Sequence, residues 1–133
     1  MKKTLLLTAA LACSGAVAQE KEIWACQMDA GTMLKWRNDT QSWQSLGIIP
    51  YNLLLTINGD GSGMEQPSDR PPTNYLSCEK VLAGKISCMN NIKTKHYLLD
   101  SETGKLGISD LIGAISREEE RSDPSASVFN CTK

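Results

Sequence analysis

The sequence has few residues of the kinds that build most catalytic centres. Its 133 residues include one histidine, His96, and five cysteines, with no C-x-x-C and no G-x-S-x-G pattern. A lone histidine argues against a histidine metal site, and the cysteine spacing argues against zinc. No serine stands in the nucleophile motif of the α/β-hydrolases. These absences predict a protein that is not an enzyme and needs no cofactor.

Long apolar runs are also missing, except at the start of the chain. There a basic start, an apolar stretch over residues 5–12 and an Ala-Val-Ala site at residues 16–18 follow one another. This order predicts a signal peptide over residues 1–18, and hence a periplasmic or secreted protein. The run is too short for a transmembrane segment. Lipid attachment at Cys13, which follows Leu-Ala as in a lipoprotein cleavage box, is the alternative.

A strong charge of either sign is absent too. Cleavage would leave residues 19–133 with 12 basic and 15 acidic side chains, because two of the 14 basic ones leave with the signal. A net charge near −3 disfavours nucleic acid as a partner. An apolar share of 41% is typical of a globular chain. We therefore expect one monomeric domain, whose partner is an unknown protein or a small ligand.

Four cysteines remain after cleavage, an even number that predicts two disulfides in an exported domain. Three pairings are possible. We predict Cys78 with Cys88, which closes a local hairpin-like loop, and Cys26 with Cys131, which ties the first strand to the last. In the loop-entropy description these bonds contribute about 3 and nearly 5 kcal/mol respectively.

Short alternating segments separated by turn residues predict an all-β fold. The candidate strands are residues 22–28, 32–37, 41–46, 51–57, 75–78, 85–89, 92–100, 105–109 and 125–131. Residues 29–31 are predicted to turn, residues 110–115 fit either a helical turn or a strand, and residues 117–124 form a charged loop. The pattern indicates a small antiparallel β-barrel or sandwich of seven to nine short strands, stapled by the disulfides.

Residues 58–74 are predicted as one loop region, a turn over residues 58–63 followed by the longest irregular loop over residues 64–74. Residues 58–63 are the richest turn signal in the chain, and three prolines argue against an interior strand over residues 64–74. Long loops on a rigid scaffold commonly carry binding residues. We therefore expect this loop to recognise the partner, with Ser62 among its contacts.

The same loop matches part of a calcium-binding pattern. Asn58, Asp60, Ser62 and Asp69 have the spacing of ligands in a calcium loop, although Asp69 stands where a glutamate is usual and no helix follows. The alternative is a glycine-rich turn without metal.

A predicted hairpin over residues 32–46 places Trp36 opposite Trp43. Such a pair packs a core, sets strand register or stacks on a ligand. The last use would make the protein a small-ligand carrier that binds in the barrel interior, the second functional hypothesis after loop recognition. A hydrolase whose site the sequence does not reveal is the third.

The chain resembles small exported bacterial proteins in its Trp24-Ala-Cys26 start, its paired tryptophans and its final Cys131-Thr-Lys133. It is also similar, more loosely, to periplasmic lysozyme inhibitors, small barrels with a cysteine near each end and a Ser-Gly-x-x-Tyr loop that enters the enzyme cleft. Ser62 and Gly63 match the start of that motif, and Gln66 stands just after its Ser-Gly-x-x part in place of the tyrosine. This resemblance implies an inhibitor-like role.

Overall fold

The computed structural model describes residues 20–69, 71, 74–111 and 123–133. Three predictions lie outside these ranges: the signal peptide with Cys13, most of the helix-or-strand segment over residues 110–115, and most of the charged loop over residues 117–124.

Across the described ranges, nine strands form a single antiparallel sheet, which confirms the all-β class. The strands are β1 (Glu22–Arg37), β2 (Ser42–Gly47), β3 (Asn52–Ile57), β4 (Ser62–Pro67), β5 (Asn74–Leu82), β6 (Lys85–Asn90), β7 (Lys95–Asp100), β8 (Lys105–Asp110) and β9 (Ser125–Thr132). Within the described ranges there is no helix, and so none that is long and apolar enough to cross a bilayer.

The sheet closes into a barrel because β1 is long enough to pair with three strands. Residues 22–27 of β1 pair with β3, and residues 25–33 pair with β9 along the opposite edge. From β3 to β9 each strand pairs with the next, so the barrel consists of eight strands, β1 and β3–β9. The fold is therefore a closed barrel and not a sandwich. β2 pairs only with the last part of β1 and extends the sheet as a hairpin beyond the barrel.

The predicted turn over residues 29–31 is wrong. β1 runs through it, and the register against β9 shifts between Met28 and Ala30. The extra residue, Asp29, forms a β-bulge, which bends a strand without ending it. Trp24 and Met28 face the interior before the bulge, and Gly31 packs there after it, so the bulge keeps one face of β1 on the core.

The barrel interior is filled by side chains. Every second residue of β3, β6, β8 and β9 is buried, as expected for strands with one face on a core. Tyr97 and Phe129, the largest fully buried side chains, have no exposed surface. They occupy the lumen together with the buried leucines and isoleucines, of which Leu53, Leu55, Leu99 and Leu106 are the most deeply buried.

Both predicted disulfides are confirmed. Cys26 and Cys131 are directly opposite each other on β1 and β9, and their bond crosses the seam that closes the barrel. Cys78 and Cys88 occupy the equivalent opposed positions on β5 and β6. Two disulfides are what an oxidising, exported compartment favours.

The barrel has two different ends. The turn end carries the short connections at residues 58–61, 83–84 and 101–104. In the turn over residues 101–104, Gly104 has a φ of 71°. A Cβ atom at this position would lie 2.2 Å from the carbonyl oxygen of Cys131, so only glycine fits there. The loop end carries Pro67 and Asn74, the turn over residues 91–94, and the ends of β8 and β9 at Asp110 and Ser125.

Candidate binding site

A carboxyl group enters the barrel from β4, in a segment predicted to be irregular. That prediction is wrong over residues 64–67, because β4 pairs with β3 and with β5. Gly63, Glu65 and Pro67 face inward, and Pro67 is tolerated because it ends the strand. Glu65 is 1% exposed, so its carboxyl group needs partners inside the protein.

Three side chains from two other strands converge on the same Glu65 oxygen. The hydroxyl of Tyr97 donates to Oε2 over 2.5 Å, and the amide of Asn74 donates to it over 2.6 Å. The ammonium of Lys95 lies 3.9 Å away as an ion-pair partner. Asn74 is the cross-strand neighbour of Glu65, whereas Tyr97 reaches it across the lumen from β7. The network therefore links β4 to β7, which are separated by two strands, through the barrel interior.

The environment of Tyr97 keeps its hydroxyl protonated. Burial is the largest cause that raises the pKa of Tyr97 far above its ordinary value of 10.0, and the charge and hydrogen bond of Glu65 add to it. Each of these disfavours a phenolate. Tyr97 is therefore a permanent hydrogen-bond donor to Glu65 at physiological pH.

An opening of about 920 Å³ lies above this network at the loop end. One part of its lining is polar and comes from Glu65, Asp69, Asn74, Lys95 and Asp123. Another part is apolar and comes from Met33, Ile48, Ile49, Pro50, Tyr51 and Pro67. Ile49, at 87%, is the most exposed large hydrophobic residue in the described part of the chain. Barrel mouths of this size and mixed polarity are common ligand sites.

The loop over residues 58–74 is not the single recognition surface that the sequence predicts. β4 divides it into a turn at residues 58–61 on the turn end and a connection after Pro67 on the loop end. A strand of six residues separates the two parts by about 20 Å. Pro67, Asp69 and Asn74 line the opening, whereas Ser62 lies at the far end of β4.

The calcium pattern is not assembled, because β4 keeps Asp69 away from the other three candidates. Those three bond among themselves: Asp60 accepts hydrogen bonds from the Ser62 backbone amide and hydroxyl, and Asn58 donates to the same hydroxyl. These bonds from Ser62 lower the pKa of Asp60 from its usual value. In the described part of the chain, no three acidic, histidine or cysteine side chains group as metal ligands.

Trp36 and Trp43 are directly opposed, as predicted, with ring centroids 5.3 Å apart and planes inclined by 68°. The hairpin that carries them projects beyond the barrel, and Trp43 is 39% exposed. The pair therefore lies outside the barrel interior. The small-ligand carrier stays a prediction. The pair follows Ala30, Thr32 and Leu34 on the outward face of β1.

The structure brings a serine to the single histidine, a pair that the sequence does not reveal. The hydroxyl of Ser87 and Nε2 of His96 are 2.8 Å apart on the exposed outer face of β6 and β7. They sit diagonally across the two strands, since Met89 is the direct partner of His96. The pair lies on the outside of the barrel and takes no part in the opening.

The chain matches no protein-family model, no curated protein and no solved structure. The resemblance to lysozyme inhibitors therefore stays a prediction.

Sequence reasoning missed the residues that meet at the opening. Glu65 falls in the segment predicted to be irregular, and no motif singles out Asn74 or Tyr97. One signal was present: Lys95 and Tyr97 alternate onto the same face of a predicted strand. A hairpin joining residues 62–67 to residues 74–82 would also have set Glu65 against Asn74.

Proposed function

We propose that this protein is an exported, non-enzymatic binding module that takes its ligand at the loop-end opening. The proposal keeps the predicted binding role and moves its site. The sequence predicted two candidate binding sites, the loop over residues 58–74 and the barrel interior. The proposed site is instead the surface of the loop-end opening, which includes Asp69 and Asn74.

The observation that carries the proposal is the buried Glu65 network beneath an open, partly apolar mouth. A buried carboxyl group is costly, and apolar residues of similar size often stabilise a core more. The other side chains in the lumen are mainly aliphatic and aromatic, so the buried carboxyl group of Glu65 is an exception. Departures of this kind are expected where a protein has a function to perform.

The arrangement favours binding over catalysis. The Tyr97 hydroxyl already donates to Glu65 and stays protonated, so it does not serve as a base. Hydrogen bonds from Tyr97 and Asn74 hold the Glu65 carboxyl group in one position. A polar floor that is ordered before the ligand arrives loses little entropy on binding.

Export is supported by the two disulfides together with the signal-like residues 1–18. Intact-mass measurement of the protein from its native compartment tests this part. We expect a chain that begins at Gln19 and retains both disulfides. A lipid-modified chain beginning at Cys13 would replace the secreted form with an anchored one, and reduced thiols would contradict export.

The binding site itself is tested by nuclear magnetic resonance on isotope-labelled residues 19–133 with a library of small soluble molecules at millimolar concentration. We expect binders to shift the amide signals of Tyr51, Asn74 and Lys95. Binders that shift only signals of the turn end or the outer face would refute the location, and a library without binders would refute a small-ligand role.

Two matched variants sharpen this test. Ile49→Ala removes part of the apolar wall and should weaken a binder about fivefold, because the smaller side chain buries less apolar surface against the ligand, a difference of about 1 kcal/mol. Leu82→Ala makes a similar truncation at a 72% exposed leucine on the turn end and should leave affinity unchanged. Equal effects of the two variants would contradict the proposed site.

A further inference from the structure

We infer that two copies of this protein pair through β2, an inference separate from the proposed binding function. In the described part of the chain, β2 hydrogen-bonds to β1 alone and stands last in the order of the sheet. The edge of β2 that faces away from β1, the β2 edge, therefore presents backbone groups that have no partner in the sheet. An edge of this kind binds an extended strand. That strand is β2 of a second copy, so a dimer takes the place of the monomer expected from the sequence.

The hydrogen bonds to β1 identify the backbone groups that point outward. The amide of Ile48 donates to the carbonyl of Gly31 over 3.1 Å, and β2 keeps the same register to its other end. Bonded and non-bonded pairs alternate along an antiparallel ladder. The backbone groups of Trp43, Ser45 and Gly47 therefore point away from β1 and form the β2 edge.

The β2 edge lacks the features that usually protect an edge from pairing. The segment Ser42–Gly47 contains no charged residue and no proline, and it pairs with β1 without a bulge. Five of its six residues are exposed, so the hairpin has no core of its own. A two-stranded ribbon in water is only marginally stable, and a third strand stabilises it.

The strand is complementary to itself in one antiparallel register. Residues directly opposite each other in an antiparallel pair share a face, and a two-fold axis perpendicular to the sheet preserves the faces. An axis through Ser45 sets this residue against its own copy and sets Trp43 against Gly47 of the second copy. All three outward-pointing residues then form bonded pairs, with about six backbone hydrogen bonds in total.

The side chains fit the same register. Trp43 is 39% exposed beside Trp36, and its indole ring would lie over Gly47 of the second copy. That position has room for the ring, because no atom of the described residues lies within 4 Å of the place where Gly47 would carry a Cβ. An aromatic side chain opposite an edge glycine covers the backbone there and fixes the register. A second copy supplies both the tryptophan and the glycine, and this selects it over an unrelated strand.

Charge and space also allow the pairing. Each mature chain has a net charge near −3, but the two strands that meet are neutral and do not repel each other directly. Since β2 runs toward its own barrel, antiparallel pairing places the two barrels at opposite ends of the joined strands. The contact is confined to one short strand and is smaller than a standard interface, so we expect a dissociation constant between about 10 µM and 1 mM.

Sedimentation equilibrium of oxidised residues 19–133, from micromolar to millimolar protein, tests the dimer. Ser45→Lys and Ser45→Glu each place like charges opposite each other on the axis and should each weaken the dimer about two- to fivefold. A mixture of these two variants should recover the lost affinity, because opposite charges then meet. Ser77→Lys makes the same change at an exposed serine of β5, which is paired on both sides, and should leave the dimer unchanged.

Amide hydrogen exchange followed by nuclear magnetic resonance tests the register. Protection at Trp43, Ser45 and Gly47 should rise with protein concentration, because their amides bond to the second copy. Protection at Gln44 and Leu46 should change little, because these amides already bond to β1. A concentration-dependent protection that avoids the first three residues would overturn the inference.

Three sedimentation results would also overturn it: a monomer at millimolar protein, a mixture of the two Ser45 variants that dimerises no better than either alone, or equal weakening by Ser77→Lys and Ser45→Lys. None of these results bears on ligand binding at the loop-end opening, which the library screen judges separately.

Discussion

The bond between Tyr97 and Glu65 provides the sharpest test of the barrel interior. Tyr97→Phe removes a donor from a carboxyl group that is 1% exposed, which should destabilise the protein by about 2 kcal/mol. Glu65→Leu leaves the Tyr97 hydroxyl without its acceptor in a residue with no exposed surface, at a cost of about 1–3 kcal/mol. Lys95 and Asn74 lose a partner too, but both are near enough to the opening to bond to water.

The double variant Glu65→Leu/Tyr97→Phe should be less destabilised than the sum of the single variants. Removing both partners leaves no buried group unsatisfied, and that change is often nearly neutral. The expected coupling is about 2 kcal/mol, equivalent to about 8 °C in Tm for a domain of this size.

Urea unfolding followed by circular dichroism, with the disulfides kept oxidised, measures all four free energies of the cycle. Tyr75→Phe, at a tyrosine that is 67% exposed, is the control and should stay within about 0.5 kcal/mol of the unmodified protein. If the two single effects simply add to within about 0.5 kcal/mol, Glu65 and Tyr97 are not coupled and the buried network does not exist as described.

Three further outcomes are expected. A hydrogen bond from Lys85 is the main reason that the pKa of Asp100 falls from 3.8 to about 2. The Asp100 carboxylate therefore stabilises the fold above about pH 4 and loses that effect as pH falls toward 2. Asp100→Asn should flatten the dependence of Tm on pH between these values. Because the pKa of Tyr97 is raised above its ordinary value of 10.0, its hydroxyl contributes fully to stability below about pH 10, and this contribution is lost progressively as pH rises above 10. Absorbance titration should show one tyrosine that ionises only on alkaline unfolding, a step that Tyr97→Phe abolishes. Replacing Cys26 and Cys131 with serine should cost about 5 kcal/mol, against about 3 for the other disulfide, and equal losses in urea unfolding would contradict the loop-entropy argument.

The strands that the sequence predicted well are those whose inward residues are apolar. Leu53, Leu55 and Ile57 alternate with residues that are less buried, so both the strand and its buried face follow from the pattern. The hairpin with Trp36 opposite Trp43 was also predictable, because a short turn sets strand register locally.

β4 shows where this reasoning ends. Its inward residues are Gly63, Glu65 and Pro67, none of which is typical of a strand interior, and its outward ones are Met64 and Gln66. Read as a periodic pattern, the segment has no apolar face. It is a strand because β3 and β5 both pair with it, a constraint from neighbours that the segment's own residues do not express.

The sequence alone was enough to predict an all-β protein, most of its strands and both disulfide pairings. Strands follow from alternation and turn residues, which act over a few residues. The disulfide pairings follow from the positions of four cysteines, which allow only three combinations. Closure of the sheet, the bulge in β1 and the meeting of Glu65 with Tyr97 depended on contacts between distant strands. A period of two says which residues share a face but not which face is inside, and no local pattern brings residues 32 positions apart together across a lumen. The candidate site belongs to this second group, since it exists only once the barrel is closed.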